Sequence, residues 1–194
     1  MCSYGYLHVV TGCMFSGKTT HLLQEFKRNE LSSMIITHSM DTRYGTAQII
    51  SHTYESCDAM PVNQLMPLVY TLEYSECTHI LVDEAQFFPD LYEFVIHAVD
   101  YDNKKVTVYG LDGDYKREPF GEILRVIPLA NSIVKLNAIC KRCNDGTHAI
   151  FSLRKTDSDE QIKIGTHVDY EPVCRHHYLL SQPYMQNGIR IRCD

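Results

Sequence analysis

One glycine-framed segment, residues 12–19, constrains the fold of this chain more than any other. It reads GCMFSGKT and fits the pattern G-x-x-x-x-G-K-[ST]. A short β-branched apolar run at residues 6–11 precedes it, and Leu22, Leu23 and Phe26 follow at helical spacing. A strand, a loop and a helix in this order form the context in which backbone N–H groups surround phosphate. The sequence therefore predicts a phosphate-binding loop rather than a chance glycine turn.

The residues of this loop have separate expected roles. Glycines allow the backbone to form a nest of amide groups, and the following helix adds its positive N-terminus. Lys18 offers a point charge to the β- and γ-phosphates, and Thr19 offers a hydroxyl to Mg²⁺. The predicted ATP and phosphate contacts from this segment are Gly12, Met14, Phe15, Ser16, Gly17, Lys18, Thr19 and Thr20.

A pair of carboxylates follows a second apolar run. Residues 79–82 read HILV and lead into Asp83 and Glu84. Sheets in α/β proteins bind ligands at the carboxyl ends of their strands. We therefore expect Asp83 to hold Mg²⁺ and Glu84 to act as a general base on the group that attacks the γ-phosphate. The pair alone does not separate phosphoryl transfer from ATP hydrolysis, and a solvated acidic turn is the alternative.

The remaining pattern predicts the fold class. Further strands are expected at residues 33–37, 106–111 and 132–138, and a helix at residues 90–99. Strands that alternate with helices favour an α/β fold with a mostly parallel sheet and crossover helices. The polar, turn-rich character of the chain after Asn137 places a domain boundary there, so the nucleotide-binding domain is expected to span residues 1–137.

Two ligand pairs predict a metal site in the last quarter of the chain. Cys140 and Cys143 form one pair, Cys174 and His177 form the other, and each pair has a two-residue spacer. This spacing is typical of a zinc ribbon of Cys₃His type, in which four protein ligands close the site and make the zinc structural. His176 is the rival fourth ligand. The expected zinc-binding module covers residues 138–180, and residues 181–194 are expected to form a flexible tail.

Composition narrows the function classes. The chain has 194 residues, which is too short for a two-lobed protein kinase or a two-domain helicase. Its net charge of −6 opposes binding to a nucleic-acid backbone. No signal peptide or apolar run of membrane-spanning length is visible, so we expect an intracellular protein with no membrane partner. The other cysteines are then expected to be unpaired thiols: Cys2, Cys13, Cys57, Cys77 and Cys193.

In this order the motifs resemble the type II thymidine kinases, cellular and large-virus enzymes with a RecA-like P-loop domain and a zinc-anchored lasso. The resemblance runs from about residue 6 to residue 178. Beside the phosphate loop and the cysteines, the matching segments are DTRY at 41–44, DEAQFF at 83–88, GLDGDY at 110–115, PFG at 119–121 and YEPVCR at 170–175. Residues 45–53 follow the family pattern only loosely, and His177 stands where the family often has cysteine.

The resemblance implies ATP-dependent phosphorylation of the 5′-hydroxyl of thymidine, a salvage step toward DNA precursors. Glu84 matches the residue that takes the proton from that hydroxyl. Asp41 matches an acid associated with the metal, and Arg43 matches a phosphate-contacting arginine. Four implied thymidine-binding residues form an apolar wall around the thymine: Phe87, Leu111, Tyr115 and Phe120. Tyr170 of the lasso covers the nucleoside, the backbone near Val173 recognises the base edge, and Ser152 lines the pocket for the base methyl group.

The resemblance also implies substrates, an inhibitor, a metal, an oligomeric state and a cellular location. Thymidine and ATP with Mg²⁺ would be the substrates, thymidine triphosphate a feedback inhibitor, and structural Zn²⁺ a second metal. A cytoplasmic homotetramer that binds no nucleic acid is expected. Two alternatives remain open from the residues: a P-loop ATPase or helicase fragment, because residues 83–86 resemble a helicase box, and a non-enzymatic zinc-ribbon module gated by nucleotide.

Overall fold

Strands and helices alternate along the first two thirds of the chain, as a computed structural model shows. The structure describes residues 4–28, 32–41, 48–50, 56–156, 159–162 and 165–182. Its strands are β1 (Tyr6–Gly12), β2 (Ser33–His38), β3 (Gln48–Ile50), β4 (Ser56–Asp58), β5 (Met60–Val62), β6 (His79–Val82), β7 (Lys105–Gly110), β8 (Ser132–Leu136), β9 (Ala138–Ile139), β10 (His148–Ala149), β11 (Phe151–Arg154) and β12 (Tyr170–Val173). Its α-helices are α1 (Lys18–Arg28), α2 (Leu72–Glu76), α3 (Leu91–Ile96) and α4 (Arg175–Leu180).

The main sheet has six strands in the order β5-β2-β6-β7-β1-β8, and every neighbouring pair is parallel. This confirms the predicted α/β fold with a mostly parallel sheet. Because the strands share one direction, their carboxyl ends meet at one edge, where Gly12, Val82 and Gly110 end β1, β6 and β7. The short strands form three separate antiparallel pairs, β3 with β4, β9 with β10, and β11 with β12.

Alternate residues of the central strands face two different layers of helices. Leu7 and Val9 of β1 belong to a core that includes Phe94 of α3, whereas Val10 belongs to a core that includes Leu22 of α1. Parallel strands buried on both faces explain the continuous apolar runs in their sequence. Within the described residues, no helix is long and apolar enough to cross a bilayer.

One predicted helix and the expected character of the last quarter of the chain differ from the structure. The helix expected at residues 90–99 is α-helical only over Leu91–Ile96 and continues as a wider π turn over His97–Tyr101. The chain after Cys140 carries more regular structure than its polar sequence suggested. It contains β10, β11, β12 and α4, all of which are short. Elements of two to six residues show too few periods for a pattern to reveal them.

The segments after β8 surround an apolar cluster of their own. Ala138, Ala149, Leu153 and Tyr178 are buried in it, and Cys13 of the phosphate loop packs against the same cluster. Residue 137 lies between β8 and β9. The division into domains at that residue stays a prediction, and residues 183–194 of the expected tail lie outside the described residues.

A buried carboxylate joins α1 to the sheet. Glu25 accepts hydrogen bonds from Lys105 Nζ at 2.7 Å, Tyr109 OH at 2.6 Å and Thr107 Oγ1 at 3.2 Å, and His79 Nε2 lies 3.4 Å away. Burial alone would raise the pKa of Glu25, but the bonds from Lys105 and Tyr109 outweigh it and lower the pKa to about 2. Burial, assisted by Lys105, lowers the pKa of His79 to about 4.

A polar pocket of about 280 Å³ opens beside this network. Its position differs from that of the phosphate loop, because His8 and Lys105 lie in the amino-terminal halves of β1 and β7. The remaining lining residues come from α1: His21, Gln24, Glu25 and Arg28. Ligands of parallel sheets bind at the opposite, carboxyl edge.

Glu25→Gln tests the contribution of this network to stability. Neutral His79 stabilises the fold above pH 6.5 and loses this effect toward pH 4, and ionised Glu25 stabilises it above pH 4.5 and loses this effect toward pH 2. We expect the variant to lower Tm at pH 7 by about 5 °C. The difference from wild type should shrink below pH 4.5.

Thermal unfolding between pH 7 and pH 3 measures this, with Glu76→Gln, a change at an exposed acid of α2, as the control. A difference in Tm that stays constant across this range would contradict the assignment.

Candidate functional site

The loop between β1 and α1 curls over the carboxyl edge of the sheet because two glycines allow it. Gly12 has φ 153°, and a Cβ there would lie 2.5 Å from the Leu136 carbonyl oxygen of β8. Gly17 has φ 89°, a conformation that side chains rarely adopt, and leads directly into α1. The Ser16 amide donates to the Cys13 carbonyl at 3.3 Å and closes the turn. The loop therefore has the local geometry that its sequence pattern predicts.

Polar groups of the loop are arranged to receive an anion. Lys18 Nζ donates to the carbonyl oxygens of Gly12 at 2.9 Å and Cys13 at 3.0 Å, which holds its charge over the loop. The Ser16 hydroxyl is buried and has no hydrogen-bond partner in the described part of the chain. Thr19 and Thr20 lie in the first turn of α1, where free amide groups and the helix dipole favour negative charge.

The carboxylate pair follows β6 at the same edge. Asp83 is buried, and its amide donates to the Ile36 carbonyl at 2.8 Å. Glu84 has φ 49°, so the chain turns sharply at this residue. Gln86 Nε2 donates to Glu84 Oε2 at 2.6 Å, and Gln86 Oε1 accepts from the Leu111 amide at 2.9 Å. A backbone N–H can only donate, so this bond fixes the orientation of the Gln86 amide.

Gln86 is a candidate functional residue that the sequence analysis did not single out. Its side chain crosses the end of β7, where a Cβ on Gly110 would lie 2.5 Å from Gln86 Oε1. Gly110 therefore leaves the room that lets Gln86 connect Glu84 with Leu111. A glutamine beside a carboxylate carries no local pattern, and only the contact with Leu111 after the next strand of the sheet singles it out.

Aromatic rings border the carboxylate pair. Phe87 and Phe120 meet edge to face, with ring centroids 5.5 Å apart and planes at 88°. The His38 ring also lies near Phe87, with the two ring centroids 5.7 Å apart. Phe120 is buried while Phe87 and Leu111 are half-buried, so the chain presents apolar surface close to Glu84.

Two tyrosines of the predicted nucleoside site share one arginine. The Arg154 guanidinium lies 3.7 Å from the ring centroid of Tyr115 and donates to the Tyr170 hydroxyl from two of its nitrogens. Tyr170 is buried and Tyr115 is half-buried. The structure thus brings these two predicted residues together through a residue that the sequence analysis missed.

Ser152 and Val173 are engaged in backbone contacts of the C-terminal segments. Ser152 Oγ accepts a hydrogen bond from the Met14 amide at 2.9 Å, which joins β11 directly to the phosphate loop. Val173 is fully buried, and its carbonyl accepts from the Ile150 amide at 3.1 Å.

Two predicted residues lie after β2. The Asp41 amide donates to the His38 carbonyl at 2.8 Å, so Asp41 closes a turn beyond the carboxyl end of that strand. Arg43 lies outside the described residues, as do residues 45–47 and 51–53 of the loosely matching segment.

The four predicted zinc ligands converge. Sγ of Cys140, Cys143 and Cys174 and Nδ1 of His177 all lie within 4.8 Å of one another. The Cys143–Cys174 sulfurs are 3.7 Å apart, and the three sulfur-to-Nδ1 distances are 3.3–3.5 Å. A tetrahedral zinc ion with ordinary bond lengths requires edges of about 3.8 Å between sulfurs and about 3.6 Å from sulfur to nitrogen. The donor set and its spacing therefore fit structural Zn²⁺, with His177 rather than His176 in the group.

Backbone amides prepare one of these thiols for metal binding. Burial opposes ionisation of Cys140, but the amides of Cys174, Cys143 and Arg142 lower its pKa to about 6. The Cys174 amide lies 3.2 Å from the Cys140 sulfur. Because the thiolate is the metal ligand, these hydrogen bonds favour binding at neutral pH. Outside this group, Cys13, Cys57 and Cys77 form no disulfide within the described part of the chain, and Cys2 and Cys193 lie outside it.

Helix α4 connects the predicted zinc ligands to the loop that carries Tyr115. Tyr178 lies one residue after His177, and its hydroxyl donates to the Tyr115 carbonyl at 2.6 Å. The Arg117 guanidinium lies over the Tyr178 ring, 4.8 Å from its centroid. The loop that carries Tyr115 is therefore held directly by a residue of the zinc-bearing segment.

Fold and site together define an α/β protein of the P-loop class with an attached Cys₃His group that fits zinc. A family model described as thymidine kinase matches residues 5–178. The chain is 43% identical to "Thymidine kinase" of Oryza sativa subsp. japonica, over 92% of this chain and 68% of that protein. It is 43% identical to "Thymidine kinase a" of Arabidopsis thaliana, over 98% and 82% of the two chains. It is 36% identical to "Thymidine kinase, cytosolic" of Gallus gallus, over 92% and 79%.

The chain belongs to the thymidine kinase family. It is therefore an enzyme, a kinase, and not a helicase fragment or a non-enzymatic zinc-ribbon module. This confirms the resemblance on which the predicted function rests.

Cys143→Ser tests the metal site. We expect the variant to lose bound zinc, because a hydroxyl at this position removes one of four thiolate or imidazole donors from a closed site. Metal content per chain, measured by mass spectrometry, gives the result. His176→Asn is the matched control and should keep its zinc, because this neighbouring histidine is exposed and outside the ligand group. Full zinc content in Cys143→Ser, or loss in His176→Asn, would contradict the ligand set.

Proposed function

We propose that the protein transfers the γ-phosphoryl group of ATP to the 5′-hydroxyl of thymidine, giving thymidine monophosphate for DNA precursor salvage. One observation carries this proposal: the Glu84 carboxylate is fixed by Gln86 at the same sheet edge as the phosphate loop. Membership of the thymidine kinase family supports the choice of nucleoside. The names of the plant and avian relatives agree with it.

The phosphate loop would bind the triphosphate of ATP. Its amides, Lys18 and the buried Ser16 hydroxyl offer donors and positive charge to the β- and γ-phosphates. Arg43 is proposed as a further phosphate contact. Mg²⁺ bound with ATP neutralises charge that develops on the transferred group. Thr19, Asp83 and Asp41 are the residues proposed to hold it.

Glu84 is proposed as the general base. Its carboxylate would accept the proton of the 5′-hydroxyl as that oxygen forms a bond to the γ-phosphorus. The bond from the γ-phosphorus to the bridging oxygen breaks, and ADP leaves with the electron pair. The hydrogen bond from Gln86 supports this role, because it orients the carboxylate before substrate binds.

The nucleoside would lie among the aromatic side chains. Phe87, Phe120 and Leu111 offer apolar surface beside Glu84, which suits the flat, neutral thymine ring. Tyr115 and Tyr170 are proposed to enclose the sugar and base, and the backbone near Val173 is proposed to read the base edge. The Ser152 hydroxyl is proposed to line the methyl pocket while it accepts the bond from the Met14 amide.

The zinc site is proposed to position this enclosure rather than to act in chemistry, because four protein ligands leave no open coordination position. Feedback inhibition by thymidine triphosphate, assembly as a homotetramer and a cytoplasmic location are proposed from the family resemblance alone.

A direct assay tests the acceptor. Labelled thymidine with ATP and Mg²⁺ should give thymidine monophosphate, whereas cytidine, adenosine and a reaction without nucleoside should give little product. Rapid turnover on a different acceptor without phosphorylation of thymidine would overturn the substrate assignment.

Glu84→Gln tests the base. We expect kcat to fall by about 10³-fold, because the amide cannot accept the proton. ATP binding should stay within about twofold of wild type, since the phosphate loop is unchanged. Steady-state kinetics and calorimetric titration of ATP measure the two effects. Retained turnover in this variant would contradict the assignment of Glu84 as the general base.

Gln86→Glu tests the orientation of that base. The isosteric change keeps an acceptor for the Leu111 amide but replaces the donor toward Glu84 by a second carboxylate. We expect kcat to fall about 10- to 100-fold, as is typical when a supporting hydrogen bond is lost. The KM for ATP should not change. An unaltered kcat would show that Glu84 does not need this contact.

A further inference from the structure

Arg154 ends β11 and is buried, with 9% of its surface exposed. Its guanidinium reaches four protein groups that come from three separate parts of the chain. Nε and Nη2 donate to the Tyr170 hydroxyl at 3.0 and 2.7 Å. An arginine is rarely buried to this degree unless several groups hold it. This one is therefore part of an organised contact.

The same guanidinium lies over the ring of Tyr115, 3.7 Å from the ring centroid. This distance indicates a stacked contact between a delocalised cation and an aromatic face. Tyr115 belongs to the loop that follows β7, whereas Tyr170 begins β12. Arg154 is thus in contact with both tyrosines of the proposed nucleoside site at once.

Arg154 also holds the backbone of the segment between β11 and β12. Nη1 donates to the Glu160 carbonyl, and Nη2 donates to the Gln161 carbonyl at 3.1 Å. Gln161 Nε2 in turn donates to Asp114 Oδ2 at 2.9 Å, one residue before Tyr115. The other Asp114 oxygen accepts from the backbone amides of Lys116 and Glu118, at 2.8 and 2.9 Å. The segment between β11 and β12, called the lasso segment, is therefore joined to the Tyr115 loop both through Arg154 and through Gln161.

We propose that Arg154 is a positioning residue that sets the affinity for the nucleoside by holding Tyr115, Tyr170 and the lasso backbone in one arrangement. This inference rests on the proposed function. The Tyr115 and Tyr170 side chains both contact the Arg154 guanidinium. The freedom of these rings is then lost during folding and not on binding, and this strengthens binding.

Lysine does not replace arginine in this position. The guanidinium is planar and carries five N–H donors in a fixed fork, so it stacks on one ring while donating in its own plane to three oxygens. An ammonium group has three donors on one atom and no flat face. Arg154→Lys therefore keeps the charge and removes most of the contacts.

Steady-state kinetics of Arg154→Lys give the first test. Apparent affinity falls in proportion to the fraction of molecules in the binding-competent arrangement. We expect the KM for thymidine to rise about tenfold or more, with kcat within about threefold and the KM for ATP unchanged. Arg142→Lys is the matched control, because Arg142 also pairs with side chains near the zinc site, Glu171 and Ser181, and contacts neither tyrosine. It should leave all three constants near wild type.

Tyr170→Phe is a second variant that removes only the hydroxyl held by Arg154. It should raise the KM for thymidine in the same direction, and the double variant should raise it less than the product of the two single effects. An unchanged KM for thymidine in both single variants overturns the proposal. A fall in kcat together with an equal rise in the KM for ATP also overturns it, because that pattern indicates general damage to the fold.

Limited proteolysis tests the contact without any substrate. Endoproteinase Glu-C cleaves after Glu160, an exposed lasso residue whose carbonyl accepts from Arg154. Cleavage there should be about tenfold faster in Arg154→Lys than in wild type or Arg142→Lys, because it follows the population of the opened segment. Equal cleavage rates would show that Arg154 does not hold the lasso. If the wild-type protein phosphorylates no thymidine, the proposed function fails, and this comparison still decides the role of Arg154.

Discussion

The common direction of the six central strands is the constraint on which the rest of the structure depends. Each strand returns its carboxyl end to the same edge, so Gly12, Asp83 and Leu111 come together although they are distant in sequence. The edge is crowded. Side chains at Gly12 and Gly110 would collide with the Leu136 carbonyl and the Gln86 amide. Both glycines are therefore required by the neighbours that surround the proposed ATP and nucleoside sites.

The fold class and the main chemical groups could be predicted because their signals are local. The phosphate loop, the carboxylate pair and each of the two pairs of zinc ligands are encoded within a few residues, and β6 begins and ends where the sequence indicates. Gln86 and Arg154 could not be found in this way, because each is defined by partners on other strands or loops. The short strands and α4 after residue 137 were missed because two to six residues contain no measurable period.

The segments that carry the predicted zinc ligands contact the loop that follows β1 as well as one another. Their apolar cluster is small, and such clusters ordinarily need a metal or a neighbouring core to be stable. Here Cys13 packs into it, Met14 donates to Ser152, and Tyr178 donates to the Tyr115 carbonyl. The zinc ligands and the tyrosines of the proposed nucleoside site are consequently parts of one connected structure.

The position of β1 has a consequence for synthesis of the chain. β1 is synthesised well before its sheet partners, which are β7 at Lys105–Gly110 and β8 at Ser132–Leu136. At ordinary elongation rates these partners emerge on the order of ten seconds later. During that interval the backbone groups along both edges of β1 lack the strands with which they later pair. β1 therefore gains its full set of sheet hydrogen bonds only after β8 has been made.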